Sequence, residues 1–202
     1  MQGSKRTVIL ALGGIVVAVM LLAGAARADE IEDAINEALQ QYKNGAYSEA
    51  MTTLNYAAQL VGQKKGGKLE SFLPQPLAGW SAEEASSQAA GAAAFGGGVT
   101  AERRYTKDEA SVSVKIVTDS PMLQGMMMFL SNPMFATADG GKLEKINGQK
   151  AIVKYDAANK SGNINLVVDN RMLVTLEGNG ASLEDLKKYA AGIDYKKMAE
   201  LP

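Results

Sequence analysis

Residues 121–135, PMLQGMMMFLSNPMF, hold five of the ten methionines in this 202-residue chain. Three chemistries fit that concentration of thioethers. Thioethers are soft donors that suit Cu(I), and Met122, Met126 and Met134 are the candidate ligands. Flexible apolar side chains also line adaptable sites for a hydrophobic small molecule or a protein partner. For that chemistry the candidates are Met122, Met126, Met127 and Met128 with Phe129, followed after a break by Met134 and Phe135. The third reading is core packing, because methionine fills irregular gaps between a helix and a sheet. The expectation is an exported binding or accessory protein without a cofactor, using this apolar segment and/or an N-terminal helical hairpin to bind a hydrophobic small molecule or a protein partner, with copper handling as the alternative.

The residue types that are missing exclude more. With no histidine and no cysteine in the chain, neither a Ser-His-Asp nor a Cys-His nucleophilic site can be built, and the common zinc sites lose their ligands. A carboxylate pair is the surviving enzymatic option. Asp119, Asp139, Glu144, Asp156, Asp169 and Glu177 fall near turns or strand ends, where carboxylates sit in any soluble sheet protein, and nothing in their spacing marks a tuned pair. The chain is therefore expected not to be an enzyme, a cryptic carboxylate enzyme being the remaining alternative. Arg103 and Arg104 beside Tyr105 suggest a small anion site, but strand alternation sends the two arginines to opposite faces, so a solvated surface is expected. DAANKSG at 156–162 reads as a turn rather than a calcium loop, having too few acidic oxygens.

The element that presents the methionines is a helix started by Ser120-Pro121 and stopped by Asn132-Pro133. Met122, Met126 and Phe129 share one face, Leu123, Met127 and Leu130 the next, and Met128 lies largely opposite. A helix apolar nearly all round must be covered on two sides, by the fold or by a ligand or partner. Gly125 inside it costs about 1 kcal/mol of helix propensity, which close approach to a sheet would justify, a ligand-access notch being the alternative.

Around that helix the period is two. VTAERRYTK and ASVSVKIVTD pair about Asp108-Glu109, with Val112, Val114 and Ile116 on one face and Ser111, Ser113 and Lys115 on the other. Asn147-Gly148 and Asp169-Asn170 turn two further hairpins. Ser182 caps one C-terminal helix with a stripe of Leu183, Leu186, Ala190, Ile193 and Met198. The predicted fold class is α+β, an antiparallel sheet covered by helices and preceded by an antiparallel helical hairpin.

That hairpin occupies residues 29–63 and turns at Asn44-Gly45. Ile31, Ala34, Ile35, Ala38, Leu39 and Tyr42 recur in its first helix, and Ala46, Ala50, Met51, Leu54, Ala57, Ala58 and Val61 in its second. Lys64-Lys65-Gly66-Gly67 breaks the pattern, so 64–72 reads as a linker and 73–202 as the α+β domain. Leu73, Leu77 and Trp80 anchor the Pro-punctuated entry. After them SAEEASSQAAGAAAF offers an Ala-rich helical turn capped by Ser81, ended by a glycine loop at 96–98.

Residues 1–28 read as a secretory signal peptide: Lys5 and Arg6, an apolar run from Val8 to Gly24, and small residues in Ala26-Arg27-Ala28, with cleavage between Ala28 and Asp29. The expected location is periplasmic or secreted, touching the membrane only through that segment before its removal. Losing Lys5, Arg6 and Arg27 leaves the 22 acidic residues in excess, so neither nucleic acid nor an anionic lipid surface is an expected partner.

Two resemblances accompany this reading. Ala38, Gly45, Tyr47, Ala50, Leu54 and Ala57 resemble the spacing of a single tetratricopeptide unit, which without repetition implies no peptide groove. Over roughly 73–200, the element order and the LPQPLAGW entry resemble PsbP-like or Mog1-like α+β domains. LAGW, IVTDSPMLQ, LSNPM, INGQKAIVKYD, LVTLEGNG and YAAGIDYKKMAEL are similar to a group of exported bacterial proteins of unknown function. The resemblance implies the fold and export, and no catalytic residues.

Overall fold

The computed structural model describes residues 26–89, 98–120, 123–125, 127, 134 and 140–201, with side chains from residue 30 onward. They divide into two compact units, one ending at Val61 and the other running from Gly62.

The first unit is a helical hairpin. α1 (Ala26–Lys43) and the beginning of α2 (Tyr47–Glu70) are joined at Asn44-Gly45, where Gly45 takes φ +79, a left-handed conformation that favours glycine. The seam between the helices is lined by small residues, with Ala34, Ala38, Ala50 and Ala57 all buried. Tyr56 donates its hydroxyl to the Glu30 carboxylate at 2.6 Å, tying the helices together on one side.

The second unit is built on an antiparallel sheet: β1 (Ser81–Ala82), β2 (Ser86–Ala89), β3 (Val99–Lys107), β4 (Ala110–Thr118), β5 (Lys142–Ile146), β6 (Gln149–Asp156), β7 (Ser161–Val168) and β8 (Met172–Asn179). The order is β1-β3-β4-β8-β7-β6-β5, with β2 also pairing β3. The turns follow the chemistry read from sequence: Asn147 and Gly148 form a two-residue turn between Ile146 and Gln149, Asp169 and Asn170 lie in a three-residue loop with Arg171 between the paired Val168 and Met172, and all four have positive φ, as type I′ turns require. α3 (Leu183–Ala191) and α4 (Tyr195–Ala199) pack on the sheet.

Alternation divides the sheet cleanly. On the core face, Tyr105, Val112, Val114 and Ile116 are fully buried, as are Ile164, Leu166, Val174 and Leu176. Leu186 of α3 enters over Gly178, where an added Cβ would meet its side chain at 3.0 Å. The other face mixes polar groups with Val117, Leu143, Ile152, Val167 and Leu173, which are exposed or half-buried there. Ser113 donates to Glu102 at 2.7 Å, Arg104 to Ser111 at 3.2 Å, and Thr175 to Asn165 at 3.0 Å.

Three expectations are corrected. The linker expected over 64–72 is helical as far as Glu70, and α2 continues through Gly66 and Gly67. Gly62 and Gly66 stand one turn apart against Ala89 and Ser87 of β2; a Cβ on Gly66 would meet Ser87 Oγ at 2.7 Å, and one on Gly62 would collide with the Ala89 side chain. The glycines thus admit the strand, and Leu69, fully buried, continues the same helix face. Where the Ala-rich helical turn capped by Ser81 is expected to begin, the chain forms β1 and β2, paired with β3 from Ser81↔Thr106 to Ala89↔Val99; the rest of that turn and of the glycine loop, residues 90–97, lies outside the described residues. The single C-terminal helix is two, separated at Gly192; Ser182 caps the first as expected and Asp194 caps the second.

The entry segment is held as its residues suggested. Trp80 meets the Tyr189 ring edge-on at 5.5 Å, Tyr105 packs on Tyr189 at 4.4 Å, and the Tyr105 hydroxyl donates to the Pro74 carbonyl at 2.5 Å. A buried carbonyl needs such a partner.

Candidate functional site

The hairpin exposes what its sequence pattern would ordinarily bury. On α1, Ile35, Leu39 and Tyr42 are exposed by 47%, 46% and 62%. On α2, Tyr47, Met51, Leu54 and Val61 are exposed by between 48% and 67%. The spacings of four, three and seven put each set on one helical row. In both helices the row lies beside the alanine seam, and in an antiparallel pair those offsets bring both rows to the same side. The Tyr42 and Tyr47 rings meet across the turn at 5.7 Å, joining them into one apolar face. Tyr56 and Glu30 form their bond on the reverse side.

Helical periodicity lists these residues together with the alanines as one apolar set. The structure separates them by size, alanines to the seam and larger side chains to the outside. The signal available in sequence is that Ala34 and Ala38, like Ala50 and Ala57, form rows of their own, and close helix packing needs small residues.

Of the methionine cluster, Met127 is half-buried and Met134 is 74% exposed, while Leu123 is buried. Met122, Met126, Met128, Phe129 and Phe135 lie outside the described residues. Of the three candidate copper ligands only Met134 is therefore described. Gly125 has open space where its Cβ would stand, which corrects the expectation of close approach to the sheet.

Three of the six carboxylates have structural occupations. Asp119 pairs with Lys65 at 2.5 Å and Glu144 with Lys187 at 2.6 Å. Asp156 accepts from the side chain and backbone of Asn159 and from the Ala158 N–H, bonds that hold its pKa below the ordinary value. Asp139 lies outside the described residues. The expected parting of the arginines occurs, but only Arg104 faces the solvated side. Arg103 stands half-buried on the core side between Ala101 and Tyr105, with its Nε buried and unpaired. Burial pushes the Tyr105 hydroxyl up to about 12 despite the opposing charge of Arg103.

Among the described residues no group of three or more acidic side chains could hold a metal ion, and no helix is long and apolar enough to cross a membrane. An open depression of about 790 Å³ at one end of the sheet is lined by Trp80, Lys107, Lys160 and Asp185 among others. Its mixture of charges selects no ligand class. The hairpin face is the surface that stands out. In comparison with known proteins, no family model, no curated protein and no solved structure matches this chain.

Proposed function

We propose that this chain is an exported binding or accessory protein that engages a protein partner through the apolar face of its N-terminal hairpin. One observation carries the reading: of the ten large hydrophobic side chains exposed among the described residues, eight belong to the hairpin, seven of them on this one face. Ordinary soluble monomers scatter such side chains singly, whereas a contiguous patch marks an interaction surface. On the outer face of the sheet, by contrast, the apolar side chains other than Leu143 are half-buried and stand among hydrogen-bonded serine, threonine and asparagine. Export is supported by the charged start, apolar run and small-residue site of residues 1–28, and by the resemblance to exported bacterial proteins. A hydrophobic small molecule or Cu(I) at the methionine segment is the competing reading, favoured by the exposure of Met134.

The test is site-specific cross-linking in the producing cell, with a photoreactive amino acid at position 51 on the hairpin face or at position 154, exposed on β6. A discrete cross-linked protein band from position 51 and none from 154 is the expected result. Equal labelling from both positions, or none from either, overturns the proposal.

A further inference from the structure

Resting on that reading of the hairpin face, we propose that the partner is a second copy of this chain, and that two hairpins stack face to face into an antiparallel four-helix bundle.

The hairpin lacks a core of its own. Its buried seam is made of Ala34, Ala38, Ala50 and Ala57, the smallest apolar side chains, so folding the hairpin by itself removes little hydrocarbon from water. A two-helix unit cannot bury its own apolar face, and stability comes from stacking another element on it. The larger side chains, which carry most of the hydrophobic free energy, are the ones left outside.

A large side chain presents on the order of 200 Å² when fully exposed. The seven on this face, each about half exposed, therefore offer on the order of 700 Å². That exceeds the roughly 300–600 Å² of the largest patch on an ordinary monomer and approaches the roughly 800 Å² that each partner contributes to a standard specific interface.

Charge singles out a second copy. In a two-fold interface, if residue i meets residue j, then j must meet i. Glu32 and Lys43 are both exposed and flank the apolar row of α1 on its outer edge. They are eleven residues apart, three turns or about 16 Å along one row that passes through Leu39. A two-fold axis crossing the face near Leu39 and Met51, perpendicular to the helices, lays α1 antiparallel on its copy. Glu32 of each chain then meets Lys43 of the other. The other described acidic groups of the hairpin do not oppose this stacking: Glu30 is engaged by Tyr56 on the reverse side, Glu37 accepts from Gln41, and helical phase carries Asp33 and Glu49 away from the apolar rows.

The experiment is sedimentation velocity across a dilution series of the protein as its producing cell processes it. The expected wild-type result is a monomer–dimer equilibrium. Met51→Asp abolishes the dimer. Glu32→Lys or Lys43→Glu alone raises the dimer dissociation constant by roughly tenfold, since each reversal puts two like-charge pairs into the interface. The double variant Glu32→Lys, Lys43→Glu restores wild-type association, an outcome that misfolding of a single variant cannot imitate. A monomer at every concentration, or a dimer indifferent to Met51→Asp, overturns the proposal. A monomer that still gives a position-51 cross-link to another protein refutes self-association and leaves partner docking standing. Loss of the cross-link as well refutes both.

Discussion

Gly66 and Gly67 are adjacent, identical and helical, yet they meet different surroundings. A Cβ on Gly66 would come within 2.8 Å of the Ser87 side chain, whereas one on Gly67 would meet nothing within 4 Å. Gly66→Ala should therefore cost about 1–3 kcal/mol through overpacking, while Gly67→Ala should gain up to about 1 kcal/mol through helix propensity and a less flexible unfolded chain. Urea unfolding followed by the emission of Trp80 measures both, because that single tryptophan is buried against Tyr189. Equal effects at the two positions would contradict the close helix–strand approach. In sequence the pair reads as a helix stop; only the position of β2 makes one glycine a necessity and the other a convenience.

At the level of elements, the hairpin and the sheet should differ in local stability. β4 and β8 are central strands with fully buried core-facing residues, and their amides should exchange only on global unfolding. Amides of α1 and the first half of α2, held by an alanine seam, should exchange faster in dilute solution. Their protection should rise with protein concentration if two hairpins cover each other, which hydrogen–deuterium exchange at two concentrations checks. Concentration-independent protection in the hairpin would be the contrary result. The legible elements were those with a strong period, β3, β4 and the hairpins turned by Asn147-Gly148 and Asp169-Asn170. β2 was not legible, because Ser86–Ala89 carries no large apolar residue and owes its strand to pairing with β3. The break before α4 was hidden for a similar reason: Ile193 is buried just after Gly192 and continues the apolar stripe across it.

For the whole molecule, the perturbed groups set both edges of the stability profile. Asp194 is lowered mainly by the Lys197 backbone N–H and Asp156 mainly by the Asn159 side chain. Partial burial pushes Glu102 up, but hydrogen bonds from Ser113 and Lys115 outweigh it and leave its pKa below the ordinary value. A carboxyl whose folded pKa is depressed contributes fully above its unfolded pKa and loses that contribution as pH falls through the folded value. Tyr105, raised to about 12, and Tyr195, pushed up further by burial, act in the opposite sense, stabilising below the unfolded tyrosine value and losing that as pH rises through their own. Unfolding midpoints should thus stay level through neutral pH, fall below about pH 4 and fall again above about pH 10. An alkaline titration in which all seven tyrosines ionise together near the ordinary value, with the fold intact, would contradict the buried pair. The sequence by itself determined the α+β class, the principal hairpin turns, the alternating faces of β3 and β4, and the exclusion of histidine and cysteine chemistry, because these depend on local period, turn residues and composition. Tertiary structure alone decided which apolar rows of the hairpin face outward, which glycine admits a strand and where Arg103 stands. Each of those depends on what lies across a packed contact, and a helical row has the same period whichever way it faces.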